Sequence, residues 1–132
     1  LSVSRAELAS ETCCLIPMYN EQEVIADVIH GLKAIFQNIL CVDDGSTDES
    51  VSRAREAGAT VICHAVNIGQ GAAIATGFIW IQTKTNFSRI VTFDTGDEQG
   101  SVAQGPMPFS EGGRIIMKKL FAGSRRKVAA VM

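Results

Sequence analysis

Two carboxylates stand side by side at Asp43 and Asp44, after the apolar run Asn38-Ile39-Leu40-Cys41-Val42 and before the turn-forming Gly45-Ser46-Thr47-Asp48. A strand that ends in acids delivers them to the carboxyl edge of a sheet, where open α/β folds bind their ligands. A further acid, Asp94, ends a second such run, Arg89-Ile90-Val91-Thr92-Phe93, and the glycine-punctuated segment Asn67-Ile68-Gly69-Gln70-Gly71 lies between the two. Acids on separate strands suit two jobs: one accepts hydrogen bonds from a base or sugar, the other holds a divalent cation that neutralises phosphate charge. The backbone amides of Gly69 and Gly71, leading into a helix, suit an anionic group. An Asp-Asp-Gly turn is also an ordinary helix entry, and a lone G-x-G loop is a weak signal. Their order along the chain and their shared place at one sheet edge make the case.

The elements that must position these groups alternate between strand length and helix length. Thr12-Cys13-Cys14-Leu15-Ile16-Pro17 is an apolar run stopped by proline, as a buried parallel strand would be. Asn20 is suited to cap the element that follows, and from Glu21 the residues Val24, Ile25, Val28, Ile29, Leu32, Ile35 and Phe36 recur at helical spacing. Asn38 to Asp43 reads as the second strand, Gly45 to Asp48 as turn and cap for a helix to about Ala57, and Thr60 to His64 as the third strand. Ala72 to Ile81 is apolar nearly all round, which predicts a buried helix, and Arg89 to Asp94 is the fourth strand. Beyond it, glycines and prolines punctuate a stretch read as a long loop; Arg114 to Leu120 is open to either strand or helix, and Arg125 to Met132 is too short to assign. The fold class expected is α/β, a mostly parallel sheet with helices on both faces. Within it, the carboxyl edge gathers Pro17 to Glu21, Asp43 to Ser46, Asn67 to Gly71 and Asp94 to Asp97.

Composition narrows the function. A chain of 132 residues that is 46% hydrophobic suits one compact domain with a sizeable core. A net charge of -2, with Arg125-Arg126-Lys127 as the one cationic cluster, argues against nucleic acid as a partner. The four cysteines, Cys13, Cys14, Cys41 and Cys63, lie in strand-like runs without disulfide-framework or zinc spacing, so they read as small buried hydrophobes in a reduced, cytoplasmic compartment. The same lack of spacing speaks against His30 and His64 completing a metal site with those thiols. No run has the length of a membrane span, and Leu1 to Ser10 lacks the apolar stretch of a signal peptide. The expectation is a single domain over residues 1–132, C-terminally truncated and irregular after about 97; the start at Leu1, without a methionine, suggests a trimmed chain or fragment.

Ile16-Pro17-Met18-Tyr19-Asn20-Glu21, then Val42 to Asp48, then Asn67-Ile68-Gly69-Gln70-Gly71-Ala72-Ala73 resemble, in order and spacing, the three opening motifs of inverting family 2 glycosyltransferases. The chain looks like the branch that includes dolichol- and polyprenyl-phosphate sugar transferases. The resemblance covers about three quarters of the chain, and the combination is specific where each motif alone is not. It implies the Rossmann-like nucleotide-sugar half of a GT-A fold.

By that resemblance Pro17, Tyr19, Asn20 and Glu21 belong to the nucleotide-sugar pocket, with Tyr19 near the base. Asp44 would hydrogen-bond the base, and Asp43 would shape the turn or contact the ribose. Gly69 and Gln70 would lie along the diphosphate and sugar; Gln70 stands where many relatives have a lysine. The structural alternatives are a strand-end aromatic packed on the core for Tyr19 and a helix-terminal charge for Glu21. Relatives carry Asp-x-Asp and then Gly-Gln-His after the fourth strand, whereas this chain has Asp94-Thr95-Gly96-Asp97-Glu98-Gln99-Gly100. By the resemblance Asp94 would be the main acid for Mg²⁺ or Mn²⁺ and a nucleotide-sugar contact; either Asp97 is its metal partner displaced by one residue, or the local frame is altered. A solvated acidic loop is the alternative there. Gly123-Ser124-Arg125 is similar to an element found downstream in relatives. No catalytic base is identified.

The function implied is transfer of a sugar, with inversion, from a nucleoside-diphosphate sugar to a lipid phosphate such as polyprenyl phosphate, or to a glycan. The setting implied is the cytoplasm at the inner membrane face. Two other readings stand beside it: a sugar nucleotidyltransferase, which would need a basic glycine-rich loop after the first strand, and a non-catalytic nucleotide-binding domain.

Overall fold

The computed structural model describes residues 5–95, 114–115 and 127–131. Its elements run α1 (Arg5–Glu11), β1 (Thr12–Met18), α2 (Ile25–Lys33), β2 (Asn38–Asp43), α3 (Ser50–Glu56), β3 (Thr60–Cys63), α4 (Gln70–Lys84), β4 (Arg89–Asp94), β5 (Arg114–Ile115) and β6 (Lys127–Val131). The sheet order is β3-β2-β1-β4-β5, with β6 also paired to β4. All pairings are parallel except β4 with β6, which is antiparallel. The mostly parallel sheet that the alternation predicts is the one observed.

Alternation along the central strands sorts the core into two layers, because successive side chains of a strand point to opposite faces. Cys14, Ile16 and Met18 of β1 and Ile39 and Cys41 of β2 pack with Ile25, Val28, Ile29 and Leu32 of α2 and Ala54 of α3. Cys13 and Leu15 of β1 and Leu40 and Val42 of β2 pack with Ala73, Ile74, Phe78 and Ile81 of α4. Helices therefore cover both faces, as expected, and the central strands are buried on both sides, hence their unbroken apolar runs.

Several expectations need correction. α2 begins at Ile25 rather than Glu21, since residues 22–24 form a turn closed by the Glu21 carbonyl. α3 begins at Ser50, after a longer loop than the cap pattern suggested. α4 is longer than the span 72–81 and is not buried all round: Ile79 is 54% exposed and Trp80 half-buried, so the helix shows the sheet one face. Cys63 is exposed, unlike the other three cysteines. Burial pushes the thiols of Cys13 and Cys41 up to about 12, and that of Cys14 well above its ordinary value, so these three are packing groups. The first helix, α1, carries no periodicity long enough to announce it. Residues 96–113, where a long loop was expected, and Gly123-Ser124-Arg125 lie outside the described residues.

Gly77 lets α4 sit close to the sheet. A Cβ there would collide with Leu15 Cδ1 and lie 2.8 Å from Leu15 Cδ2, inside a side chain that is fully buried. Gly31, in α2, has nothing within 4 Å of its would-be Cβ. The same substitution should therefore have opposite signs at the two sites. Gly77→Ala is expected to cost about 1–3 kcal/mol by overpacking. Gly31→Ala is expected to gain about 0.5–1 kcal/mol by lowering the entropy of the unfolded chain. Urea unfolding of both variants checks this, and destabilisation by Gly31→Ala would contradict it.

Candidate functional site

The carboxyl ends of β1, β2 and β3 are brought level by the register, in which Met18 pairs with Asp43 and Asp43 with Cys63. The Asp44 amide donates to the Met18 carbonyl and the His64 amide to the Asp43 carbonyl, carrying the ladder one residue further. On the other side of β1, Leu15 pairs with Thr92, so continuing that register sets Asp94 beside Pro17. β1 leads to β2 on one side and has β4 on the other, and a crevice is expected where the strand order reverses in this way. A cleft of about 320 Å³ lies there. Pro17, Met18, Tyr19 and Glu21 line it from β1 and its following loop, Asp44 from β2, Asn67, Gly69, Gln70 and Ala73 from the entry to α4, and Asp94 and Thr95 from β4.

Asp44 is 3% exposed and holds three donors. Its Oδ1 accepts from the Ile68 amide at 2.9 Å and its Oδ2 from the Gly69 amide at 2.8 Å. His64 Nδ1 lies 2.9 Å from the same Oδ1, and His64 Nε2 lies 2.8 Å from Thr76 Oγ1 on α4. Burial pushes the Asp44 carboxyl up, but the two amides and the imidazole together outweigh it and hold it below its ordinary value. The carboxylate thus clips the loop before α4 to the end of β2.

The turn after Asp44 is fixed from two sides. Asp43, 2% exposed, accepts from the Ser46 amide at 2.9 Å and from the Ser46 hydroxyl. Gly45 has φ +80, and a Cβ there would lie 2.7 Å from Asn67 N and from the Val66 carbonyl carbon. Only glycine meets both demands, a left-handed backbone and a crossing loop at van der Waals distance. Asp48 then accepts from the Ser50 amide at 2.9 Å and from the Ser50 hydroxyl, so it caps α3 from one residue upstream of the helix's flanking residue. Burial raises the Asp48 carboxyl, and these bonds together with that from the Gln22 amide lower it further than burial raises it.

The loop after β1 is stitched to this turn. Asn20, at φ 49, donates its amide to Ser46 Oγ at 2.8 Å and accepts the Thr47 amide at 2.9 Å on Oδ1. Asn20 therefore bridges two loops and does not cap α2, which has no side-chain cap. The Glu21 amide donates to Ser50 Oγ at 2.7 Å, and Arg53 Nη1 to the Gln22 carbonyl at 3.0 Å.

Of the residues singled out from the sequence, Pro17, Tyr19, Glu21, Asp44, Gly69, Gln70 and Asp94 line one cleft. Asn20 and Asp43 do not line it and are engaged in holding its loops. Asp97 lies outside the described residues. Tyr19 is 44% exposed, so it is not a strand-end aromatic buried in the core. Met18, Asn67, Ala73 and Thr95 also line the cleft, and His64 and Thr76 stand behind it. Met18, Asn67 and Thr95 lie within the segments that the sequence placed at this edge and Ala73 at the end of the third motif, whereas nothing in the sequence joined His64 or Thr76 to it. Among the described residues there is no group of three or more His, Cys, Asp or Glu side chains arranged to hold a metal ion.

The lowered Asp44 carboxyl has a consequence for stability against pH. Its folded value lies below the ordinary 3.8, so the folded protein binds this proton less readily than the unfolded chain. The stabilisation is complete above about pH 4 and is lost as pH falls through the lowered folded value. Asp44→Asn should be less stable than the parent at pH 7, with the gap closing as the solution is acidified. Urea midpoints at pH 7 and pH 3 measure this; an equal gap at both would contradict it.

The likeness of this chain to known proteins is one of family and of fold. A family model described as "Glycosyl transferase family 2" matches residues 13–99. Glycosyltransferase AglJ of Haloferax volcanii is 44% identical over 63 residues, 47% of this chain and 20% of that protein. The undecaprenyl-phosphate 4-deoxy-4-formamido-L-arabinose transferase of an Enterobacter species is 35% identical over 88 residues, 58% of this chain and 27% of that protein. The chain thus spans about a quarter of the length of the curated relatives it matches. Among solved structures, glucosyl-3-phosphoglycerate synthase of Mycobacterium tuberculosis, in complex with Mn²⁺, UDP-glucose and phosphoglyceric acid, superposes with a TM-score of 0.55. That match covers 74% of this chain and 38% of the other at 23% identity, a likeness of fold.

Proposed function

The chain belongs to glycosyl transferase family 2 and has the α/β architecture of GT-A glycosyltransferases, and on that footing we propose that its cleft binds a nucleoside-diphosphate sugar for inverting transfer. The observation that carries the proposal is the cleft itself, with carboxylates from β2 and β4 flanking β1 at the carboxyl edge and the start of α4 closing one wall. Asp44 accepts a hydrogen bond from the base and Tyr19 packs near it, while Pro17 and Glu21 complete that end. Gly69 and Gln70, at the start of α4, run along the diphosphate and sugar, and Gln70 does so without a positive charge. Asn20 and Asp43 serve the same pocket by fixing the two loops, a role their hydrogen bonds support.

In the proposed reaction the acceptor oxygen attacks the anomeric carbon from the face opposite the nucleoside diphosphate; the new carbon–oxygen bond forms as the bond to the diphosphate breaks, and the diphosphate leaves with the electron pair. Asp94 offers hard oxygen donors at the cleft wall, and a small divalent cation is commonly held by one or two carboxylates together with substrate phosphates. Asp94, with Asp97, would hold Mg²⁺ or Mn²⁺, which when bound offsets charge on the departing diphosphate. The solved complexes of glucosyl-3-phosphoglycerate synthase, with Mn²⁺ and UDP-glucose or with Mg²⁺ and UDP, support a uridine nucleotide and a divalent metal. The undecaprenyl-phosphate transferase among the relatives supports a lipid phosphate as acceptor. A phosphate acceptor is already anionic at neutral pH and needs no base. On this reading the domain works in the cytoplasm, at the inner membrane face where such a headgroup is presented; among the described residues no helix is long and apolar enough to cross a membrane.

Calorimetry with UDP, GDP and their sugars, with and without Mn²⁺, tests the proposal. One nucleotide should bind in a metal-dependent manner. Asp44→Ala should weaken it about tenfold or more, the scale of a lost hydrogen bond to a buried charge. Asp94→Ala should abolish the difference that Mn²⁺ makes. Absence of heat with every nucleotide would sink the reading, and binding without sugar transfer by the full-length parent protein would leave a nucleotide-binding domain.

A further inference from the structure

His64 stands behind the cleft, outside its lining, with a side chain only 11% exposed. Both ring nitrogens are engaged, Nδ1 with Asp44 Oδ1 and Nε2 with Thr76 Oγ1. The partners settle the protons. An ionised carboxylate only accepts, so Nδ1 carries hydrogen; in the neutral ring Nε2 then accepts from the Thr76 hydroxyl. The chain Thr76 to His64 to Asp44 therefore links α4 to the end of β2 with every group satisfied.

Its effect on Asp44 is specific. Oδ1 receives two donors, His64 Nδ1 and the Ile68 amide, whereas Oδ2 receives the Gly69 amide. A carboxylate oxygen accepts about two hydrogen bonds, so the remaining capacity lies on Oδ2. Without the imidazole the two amides alone would hold the carboxylate, which could then turn about its Cβ–Cγ bond and share its oxygens differently between the amides and a ligand.

We propose that His64 is a positioning residue for nucleotide binding: its Nδ1–H locks the Asp44 carboxylate so that Oδ1 and Oδ2 hold the Ile68 and Gly69 amides while Oδ2 faces the donor group of the base. The proposal rests on the nucleotide-sugar reading of the cleft. A histidine that merely fills space would be replaced without loss by any residue that packs there. A positioning histidine is replaced only by one that returns the hydrogen at Nδ1. Asparagine does so, since its side-chain nitrogen is as many bonds from Cβ as Nδ1 is; glutamine places its nitrogen one bond further out, as Nε2 is.

The experiment compares His64→Ala, His64→Asn and His64→Gln by amide hydrogen exchange at Ile68 and Gly69 and by UDP affinity in the presence of Mn²⁺. His64→Ala should speed exchange at both amides and weaken UDP about tenfold, the scale of one hydrogen bond to a buried charge. His64→Asn should return both readouts to within about threefold of the parent, under 1 kcal/mol, and His64→Gln should not. If His64→Ala does not fold, the contrast between the two amide variants carries the test alone. Equal behaviour of Asn and Gln, or unchanged UDP affinity despite faster exchange, would overturn the proposal. Should the parent bind neither UDP nor GDP, nor their sugars, while the exchange pattern holds, the nucleotide reading falls and the locking of Asp44 by His64 stands.

Discussion

Burying the Asp44 carboxylate beneath the cleft strips it of water, and an ionised carboxylate is tolerated there only while the Ile68 amide, the Gly69 amide and His64 Nδ1 replace that hydration. The requirement draws the loop after β3 across the turn after β2, and the crossing is close enough that Gly45 has no room for a side chain. The same loop sets the start of α4, so the direction in which the cleft-lining residues Gly69 and Gln70 face follows from one acid at the end of the neighbouring strand. Remove that acid and the wall between β2 and α4 loses its anchor.

A second set of bonds performs the equivalent task between the loops after β1 and β2. Asn20, Gln22 and Glu21 on one side meet Ser46, Thr47, Asp48, Glu49 and Ser50 on the other, almost always through a backbone amide and a side-chain oxygen. Short polar residues near a strand end do this well because they bond locally without burying an unpaired group. Cleft-lining groups and supporting groups therefore alternate along the same motifs: Tyr19 and Glu21 line the cleft with Asn20 between them as a brace, and Asp44 lines it while Asp43 secures the turn. A motif of this kind ties fold and binding surface together, and substitutions inside it will report on both.

The sequence by itself determined the order of strands and helices from Thr12 to Asp94, because a doubly covered parallel strand must be apolar throughout and its helices must be periodic. The bounds of β2 and β4 were legible to the residue, since each starts at a polar residue, runs largely apolar and ends in an acid. It also determined which edge carries the polar groups, and seven of the nine residues named for the pocket line one cleft. Three things only the tertiary structure decided. The one-sided burial of α4 depends on what lies outside it, which an all-round apolar pattern does not encode. The division of the polar residues into lining and bracing depends on where their side chains meet other loops, at separations of more than twenty residues. The place of His64 and Thr76 behind Asp44 follows from strand register and helix packing together, and neither a lone histidine at a strand end nor a threonine in an apolar helix announces a partner in the sequence.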